Sequence, residues 1–403
     1  MYDSIIIGAG PAGLTAAATC TERGMKVLVI DEYMKAGGRL LGQLYEEPGG
    51  GWWNGIEESR KLFENAVELG VEILLSTPVN DIENSNNLWT VYTEQGTYQT
   101  KKLLLATGAA ESPIAVPGWT LPGVMSVGAA QVMTNVHRVK PGNRGIIIGV
   151  NVLSAAIAME LKIADIEVAA LTLPEKNMVT KEAGDPHEVI KSLLHVSHMA
   201  PSMLVRYGSK LMKNNFMQNM GVKFYPKNGV KMWDIPIQLR KAVTEIYGDG
   251  KVEGVKLSSI NSNGEVIAGS EKIIELDFVC IAGGLYPLTE LAAVAGCPFF
   301  LVEELGGYIP LHNDRMETPL PGLYVAGNIT GIEGAKVAAA QGKTAGLSMA
   351  ANFTRDNMDA EIQNAVNETA DIRANAYIQF HPEINTGRKK LSEQWDQYQL
   401  TKS

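Results

Sequence analysis

Two glycine-rich turns, each set between a short apolar strand and an alanine-rich helix, predict an α/β chain built from two Rossmann-like modules. The first turn is Gly8-Ala-Gly10-Pro11-Ala12-Gly13; the second is Gly149-Val-Asn151-Val-Leu-Ser154. A third strand–turn–helix pattern, "LYVAGNITGIEGAKVAAAQGKTAG" over 323–346, follows late in the chain.

The elements follow in order. "SIII" (4–7) has the continuous apolar character of a strand buried on both faces. Residues 12–22 are an alanine-rich helix ended by Gly24, and "KVLVI" (26–30) is the second strand of a βαβ unit. Residues 60–70 form a helix stopped by Gly70, and 71–76 and 88–108 are strands with a turn near Gly96. The second module begins at Arg144 and continues into the strand "IEVAAL" (166–171). Residues 174–221 look helical and hold six of the sixteen methionines. Asn-Gly and Asp-Gly turns between short strands dominate 223–282. The segment 354–403 is polar, with a helix over 360–376, and reads as an interface tail too poor in apolar residues for a core of its own.

Composition narrows the chemistry. A net charge of −9 and a pI near 5.3 argue against a nucleic-acid groove, which needs a positive field. The three cysteines, Cys20, Cys280 and Cys297, show no CxxC spacing. That pattern fits a reducing, cytoplasmic setting and offers no local ligand set for zinc or an iron–sulfur cluster. The apolar run 146–161 is broken by Asn151 and Ser154, so no membrane span is expected.

In the first turn, Gly8 permits the tight exit from the strand. Gly10 lets backbone approach a pyrophosphate, and Gly13 lets helix and strand pack closely. The diphosphate would lie on the amides that open the helix, with Pro11 and Ala12 in its first turn. An acid at the end of the second strand would accept the ribose hydroxyls. Asp31 stands at that distance, with Glu32 one residue further as the alternative. The motif alone does not separate NAD from FAD.

Two further segments do. "LLLATGAAESPIAVPG" (103–118) ends a strand in Ala106-Thr107-Gly108, and "GLYVAGN" (322–328) ends one in Gly327-Asn328. With the N-terminal motif they resemble the two-dinucleotide-fold flavoproteins, glutathione reductase and thioredoxin reductase among them. The resemblance implies an FAD-binding domain over 1–112 and 282–353, with an NAD(P)-binding-like domain over 113–281 inserted in it. It also implies a cofactor set of the first-turn residues, Asp31, Glu32, Gly38, Arg39, Gln43, Val79, Ala106, Thr107, Gly108, Gly327, Asn328, Gly334 and Ala335. The family usually has Asp where Asn328 stands. The helix carrying Lys336 and Gln341 would point its N-terminus at the flavin ring. In the second module Asn151 replaces the second glycine and Ser154 the third. Asn tolerates positive φ, but its side chain would stand where a pyrophosphate approaches, which argues against NAD(P). "GGRLLGQLY" (37–45) lacks the CxxxxC of the first disulfide reductase type, and the second module lacks a CxxC, so dithiol chemistry is not expected.

A closer resemblance rests on "DFVCIAGGLYPLTELAAVAGC" (277–297), "LGGYIP" (305–310), 318–346 and "DEYMKAGGRL". These are similar to the flavoprotein subunits of heteromeric amine dehydrogenases: opine oxidase, D-hydroxyproline and L-proline dehydrogenases, hydrogen cyanide synthase and the sarcosine oxidase large subunit. The resemblance implies oxidation of a CH–NH bond in an amine or imino-acid substrate, by hydride transfer to FAD or by relay of those electrons. Many such subunits continue into a Cys-rich iron–sulfur domain, which this sequence does not contain. A second flavoprotein or a separate iron–sulfur subunit is then the expected partner. No general base is assignable, so the catalytic residues stay unnamed. Two alternatives stay open: an NAD(P)H-dependent flavin reductase feeding a ferredoxin or quinone, and a non-enzymatic flavin-holding scaffold. "HVSH" (195–198) lacks the third and fourth ligands a metal needs, so no metal is assigned. Trp52-Trp53 is read first as packing or a contact between subunits, and second as the flank of a flavin or substrate pocket.

Overall fold

The computed structural model describes residues 1–47, 50–194, 220–226, 228–351, 353 and 357–402. The pair at 195–198 and most of the methionine-rich stretch lie outside the described residues. The chain divides into two compact units, residues 1–110 with 285–403, and residues 111–284.

In chain order, β1 (Ser4–Ile7), α1 (Pro11–Glu22), β2 (Val27–Ile30), α2 (Gly55–Glu68), β3 (Glu72–Leu74) and β4 (Leu103–Leu105) come first. β5 (Val124–Ser126), α3 (Val127–Asn135), β6 (Arg144–Ile148), α4 (Val152–Ile163), β7 (Glu167–Pro174), β8 (Val230–Met232), β9 (Ile235–Tyr247), β10 (Gly254–Ser259), β11 (Lys272–Glu275) and β12 (Phe278–Ile281) follow. Last are β13 (Leu323–Val325), α5 (Ala335–Ala350), α6 (Asp359–Ala374) and α7 (Ile384–Lys402).

The first unit is organised by a five-stranded parallel sheet in the order β13-β4-β1-β2-β3. Ile6 sits opposite Val29 on one side and Leu104 on the other. Strands β1, β2 and β4 are buried along their whole length, as continuous apolar runs in a covered parallel sheet must be. Alternate residues feed two cores. Ile6, Val29 and Leu104 face Leu14, Leu347 and Met349 from the helices. Ile5, Ile7, Leu28, Leu105 and Leu323 share a second core with Trp89 and Val91. Helix α2 starts five residues earlier than its apolar spacing indicates. Asn54 caps it, with its side-chain oxygen accepting from Ile56 N at 3.1 Å.

The second unit carries an eight-stranded mixed sheet, β5-β12-β6-β7-β9-β10-β11, with β8 antiparallel to β9. Its first five strands in that order run parallel; β10 and β11 are antiparallel. Strand β7 runs on to Pro174, three residues past the "IEVAAL" segment, because Leu171–Pro174 pair with β9.

The polar segment after 354 is not an appendage. Helix α6 supplies Ile362 and Ala365 to the core that holds α1 and α5, and Met358 joins them. Helix α7 buries Ile384 and Leu391 against Val302, Leu305 and Ile309. A few apolar residues at helical spacing suffice once a core already exists to receive them. Among the described residues, no helix is long and apolar enough to cross a membrane. Ile362→Ala is expected to lower the unfolding free energy by about 2–5 kcal/mol. Chemical denaturation checks this; an unchanged midpoint would mean that α6 is not part of the cooperative unit.

Candidate functional site

The turn between β1 and α1 is built by close backbone approach. Gly8 has φ of +108°, and a Cβ there would lie 2.3 Å from Ala106 O. A Cβ on Gly13 would lie 1.8 Å from Gly8 O. Neither position accepts a side chain. Gly10 differs, since a Cβ there would meet nothing within 4 Å. It is the N-cap of α1 and offers no side-chain acceptor, and Pro11 follows at the first helical positions. The helix therefore opens with unsatisfied amides beside clear space, the arrangement that receives an anion.

Remote segments of the first unit converge on this turn. Ala106 N donates to Ile7 O at 2.8 Å, which seats Ala106-Thr107-Gly108 beside Gly8. Thr107 Oγ1 donates to Leu288 O at 2.6 Å, and Gly108 O accepts from Leu288 N at 3.0 Å. A Cβ on Gly38 would come 3.4 Å from Gly10 Cα, and Gly37 N donates to Ala9 O at 2.7 Å. Gly327 lies against Ala12, where a Cβ would meet the Ala12 methyl at 2.9 Å.

Asp31 follows β2 and faces the same turn. Its Oδ2 accepts from Ala9 N at 2.6 Å and its Oδ1 from Tyr33 N at 2.8 Å. Burial raises its carboxyl above the usual range, although both amides pull the other way. A carboxylate has about four acceptor sites, so capacity remains for a sugar hydroxyl. Glu32 is exposed. Val79 opens a strand and packs in the core under the sheet.

Arg39 is half-buried and donates from Nη1 towards Ala109 O at 3.5 Å. Gln43 Oε1 accepts from Trp53 Nε1 at 3.2 Å. Trp53 stacks on Tyr45 with centroids 6.0 Å apart, and Lys336 Nζ stands 4.8 Å from its ring centroid. Lys336 also pairs with Glu47 at 2.7 Å. Trp53 is thus packed within this unit, as the first reading expects in part, while Trp52 is 57% exposed.

Asn328 Oδ1 accepts from Glu333 N at 3.2 Å, closing the loop that leads to Gly334, the N-cap of α5, which like Gly10 has no side-chain cap. Gln341 Oε1 accepts from Gly327 N at 2.9 Å. Three residues that the sequence motifs do not flag complete this corner. Glu333 is 6% exposed and is held by Arg373 from α6 and Arg388 from α7. Burial alone would raise its carboxyl, but Arg388 and Arg373 overcome that and hold it below its ordinary value. No local spacing links 333 with 373 and 388, so only folding reveals the group.

The second turn is a different device. Gly149 keeps a φ of +108° against Ala282 O. Asn151 does not use the positive φ that Asn tolerates; its φ is −150°. It is the N-cap of α4, and its Oδ1 accepts from Ser154 N at 2.9 Å while Ser154 Oγ accepts from Asn151 N at 2.9 Å. This capping box consumes amides that a diphosphate would need. Asn151 Nδ2 also donates to Ala282 O at 2.9 Å, which ties the side chain in place.

All three cysteines are free and buried. Burial pushes Cys20 and Cys297 up to about 12 and raises Cys280 as well, which suppresses the thiolate that disulfide exchange requires.

The fold and this turn define an α/β protein with two dinucleotide-type modules, of which only the first leaves its helix amides open. The family model of the pyridine nucleotide-disulphide oxidoreductases matches residues 2–342, and the chain belongs to that family. An opine oxidase subunit of Rhizobium meliloti (strain 1021) is 28% identical over 371 residues, covering 88% of this chain and 72% of that protein. The HcnB subunit of hydrogen cyanide synthase from Pseudomonas aeruginosa is 24% identical over 357 residues, covering 86% and 70%. The solved structure of L-proline dehydrogenase from P. horikoshii shares the fold, with a TM-score of 0.63, 19% identity, and 91% of this chain on 58% of that one.

Gly13→Ala is expected to destabilise the first unit by about 1–3 kcal/mol or more, because its methyl would overlap Gly8 O. Gly10→Ala should melt like wild type yet bind FAD more weakly. Paired thermal melts and flavin titrations separate the two effects; equal melts for both variants would contradict the close approach.

Proposed function

We propose that this chain is the FAD-holding subunit of an amine or imino-acid dehydrogenase. The observation that carries the cofactor half of this reading is the contrast between helix starts: α1 is uncapped with open space at Gly10, whereas α4 is closed by Asn151 and Ser154. The residues present fit a flavin dinucleotide. The α1 amides and Gly10 would hold the diphosphate, Asp31 the ribose, Asn328 the ribityl chain, and Gly334 and Ala335 would approach the ring. When bound, FAD supplies the acceptor for a hydride leaving the carbon beside an amine nitrogen, and water then hydrolyses the resulting imine. The chain's own contribution is to bind and orient. The glycine contacts around the β1–α1 turn would seat the diphosphate, and the N-terminus of α5, which has no side-chain cap, would present its positive end to the ring. The donor class rests on the two relatives named as subunits of opine oxidase and hydrogen cyanide synthase. Being subunits, they also support a partner chain here, an iron–sulfur protein or a second flavoprotein.

The alternative of an NAD(P)H-fed flavin reductase needs the second module to take a diphosphate, and the Asn151 capping box opposes that. The purified chain, reconstituted with FAD and mixed anaerobically with excess NADPH or NADH, is expected to bleach far more slowly than it does with the cognate amine and partner present. Rapid stoichiometric bleaching by either nicotinamide would transfer the assignment to the reductase. A protein that stays colourless after incubation with FAD would end the redox reading.

A further inference from the structure

The loop from Gly327 to Gly334 is held from two sides. From within α5, Gln341 Oε1 accepts from Gly327 N at 2.9 Å and from Thr330 Oγ1 at 3.3 Å, and its Nε2 donates to Glu333 Oε2 at 3.3 Å. From the C-terminal helices, Arg373 donates from Nε to Glu333 Oε1 and from Nη2 to Oε2. Arg388 donates from Nη2 to Glu333 Oε2 and to Thr330 Oγ1, and from Nη1 to Thr330 O at 2.7 Å. The three charged side chains are only 6, 12 and 15% exposed for Glu333, Arg373 and Arg388.

Among the described residues, two guanidinium groups share one carboxylate, which leaves one positive charge in excess. His312, close enough to feel both arginines, does not add another: burial pushes its imidazole down to about 3, so it is neutral. Burying three charged groups carries a desolvation penalty that hydrophobic residues would avoid. The arrangement is therefore expensive as a plain fastening. Its place is informative: Glu333 immediately precedes Gly334, and both arginines lie beyond residue 342, outside the span the family model matches.

We propose that Arg373 and Arg388 are positioning residues for the flavin, a reading that rests on the FAD assignment above. Acting through Glu333 and Thr330, they fix the 327–335 loop in the form that receives the cofactor, and they leave a net positive charge beside it. The C-terminal helices are thus a clasp on the cofactor site.

The test uses the full chain and four variants: Glu333→Gln, Arg373→Gln, Arg388→Gln and Arg388→Lys. FAD affinity is read from flavin fluorescence and the two-electron midpoint potential from spectroelectrochemistry, with circular dichroism as the check on folding. Each variant is expected to bind FAD about tenfold or more weakly, because the loop loses its set geometry. The potential should rise in Glu333→Gln and fall in Arg373→Gln and Arg388→Gln, since nearby positive charge favours uptake of electrons. Arg388→Lys should restore the potential but not the affinity, because it keeps the charge and loses the forked donors. A loop role without charge would shift all the potentials in one direction, and that result overturns the electrostatic part. Folded variants matching wild type in affinity and potential overturn the clasp altogether. Should either Gln variant of an arginine fail to fold, Glu333→Gln and Arg388→Lys decide. A wild-type chain that takes up no FAD refutes the cofactor assignment instead.

Discussion

The contact between Gly13 and Gly8 O is the constraint on which the rest depends. It brings α1 against β1 so tightly that no methyl group fits, and so it aims the helix start across the carboxyl end of the sheet. Strand β1 is central, with β2 on one side and β4 on the other. The chain runs from β1 to β2 and β3 on one side and only then crosses to β4 on the other, and such a switch point is where open parallel sheets form a ligand crevice. Ala106, Gly38 and Gly327 then close on the same turn because the glycines leave backbone, not side chains, at the surface.

The two modules illustrate how little of function lives in a fold. Both place a strand, a left-handed glycine and a helix in the same order, and Gly149 repeats the φ of Gly8. What differs is who satisfies the first amides of the helix. In the first module no side chain among the described residues does so. In the second, Asn151 and Ser154 satisfy each other. A helix start can hold an anion or be capped from within; the capping box commits α4 to the second. The same logic applies to the cysteines, which sit in a disulphide oxidoreductase fold yet are buried thiols with suppressed reactivity.

The C-terminal helices change the meaning of the late strand. Without them Glu333 would be a surface carboxylate before a helix. With them it is a buried anion shared by two arginines, and its loop is bound at Gly327, Thr330 and Glu333 at once. Loops carry function when a rigid frame positions them, and here the frame comes from a segment whose composition looks like a solvent-exposed tail.

The sequence by itself determined the β1–α1–β2 unit, the glycine spacing, and Asp31 as the acid at the strand end. These depend on neighbouring residues, through strand periodicity, allowed φ and the distance to the next strand, so they are legible without a structure. It also carried the Asn151–Ser154 pair, although its meaning as a cap emerged only from the extended φ at Asn151. Tertiary structure alone decided that Asp31 spends two acceptor sites on Ala9 and Tyr33, that Trp53 stacks between Tyr45 and Lys336, and that Glu333 meets Arg373 and Arg388. Those last partners are 40 and 55 residues away. Such pairings depend on where helices dock and how far side chains reach, and no pattern along the chain encodes either.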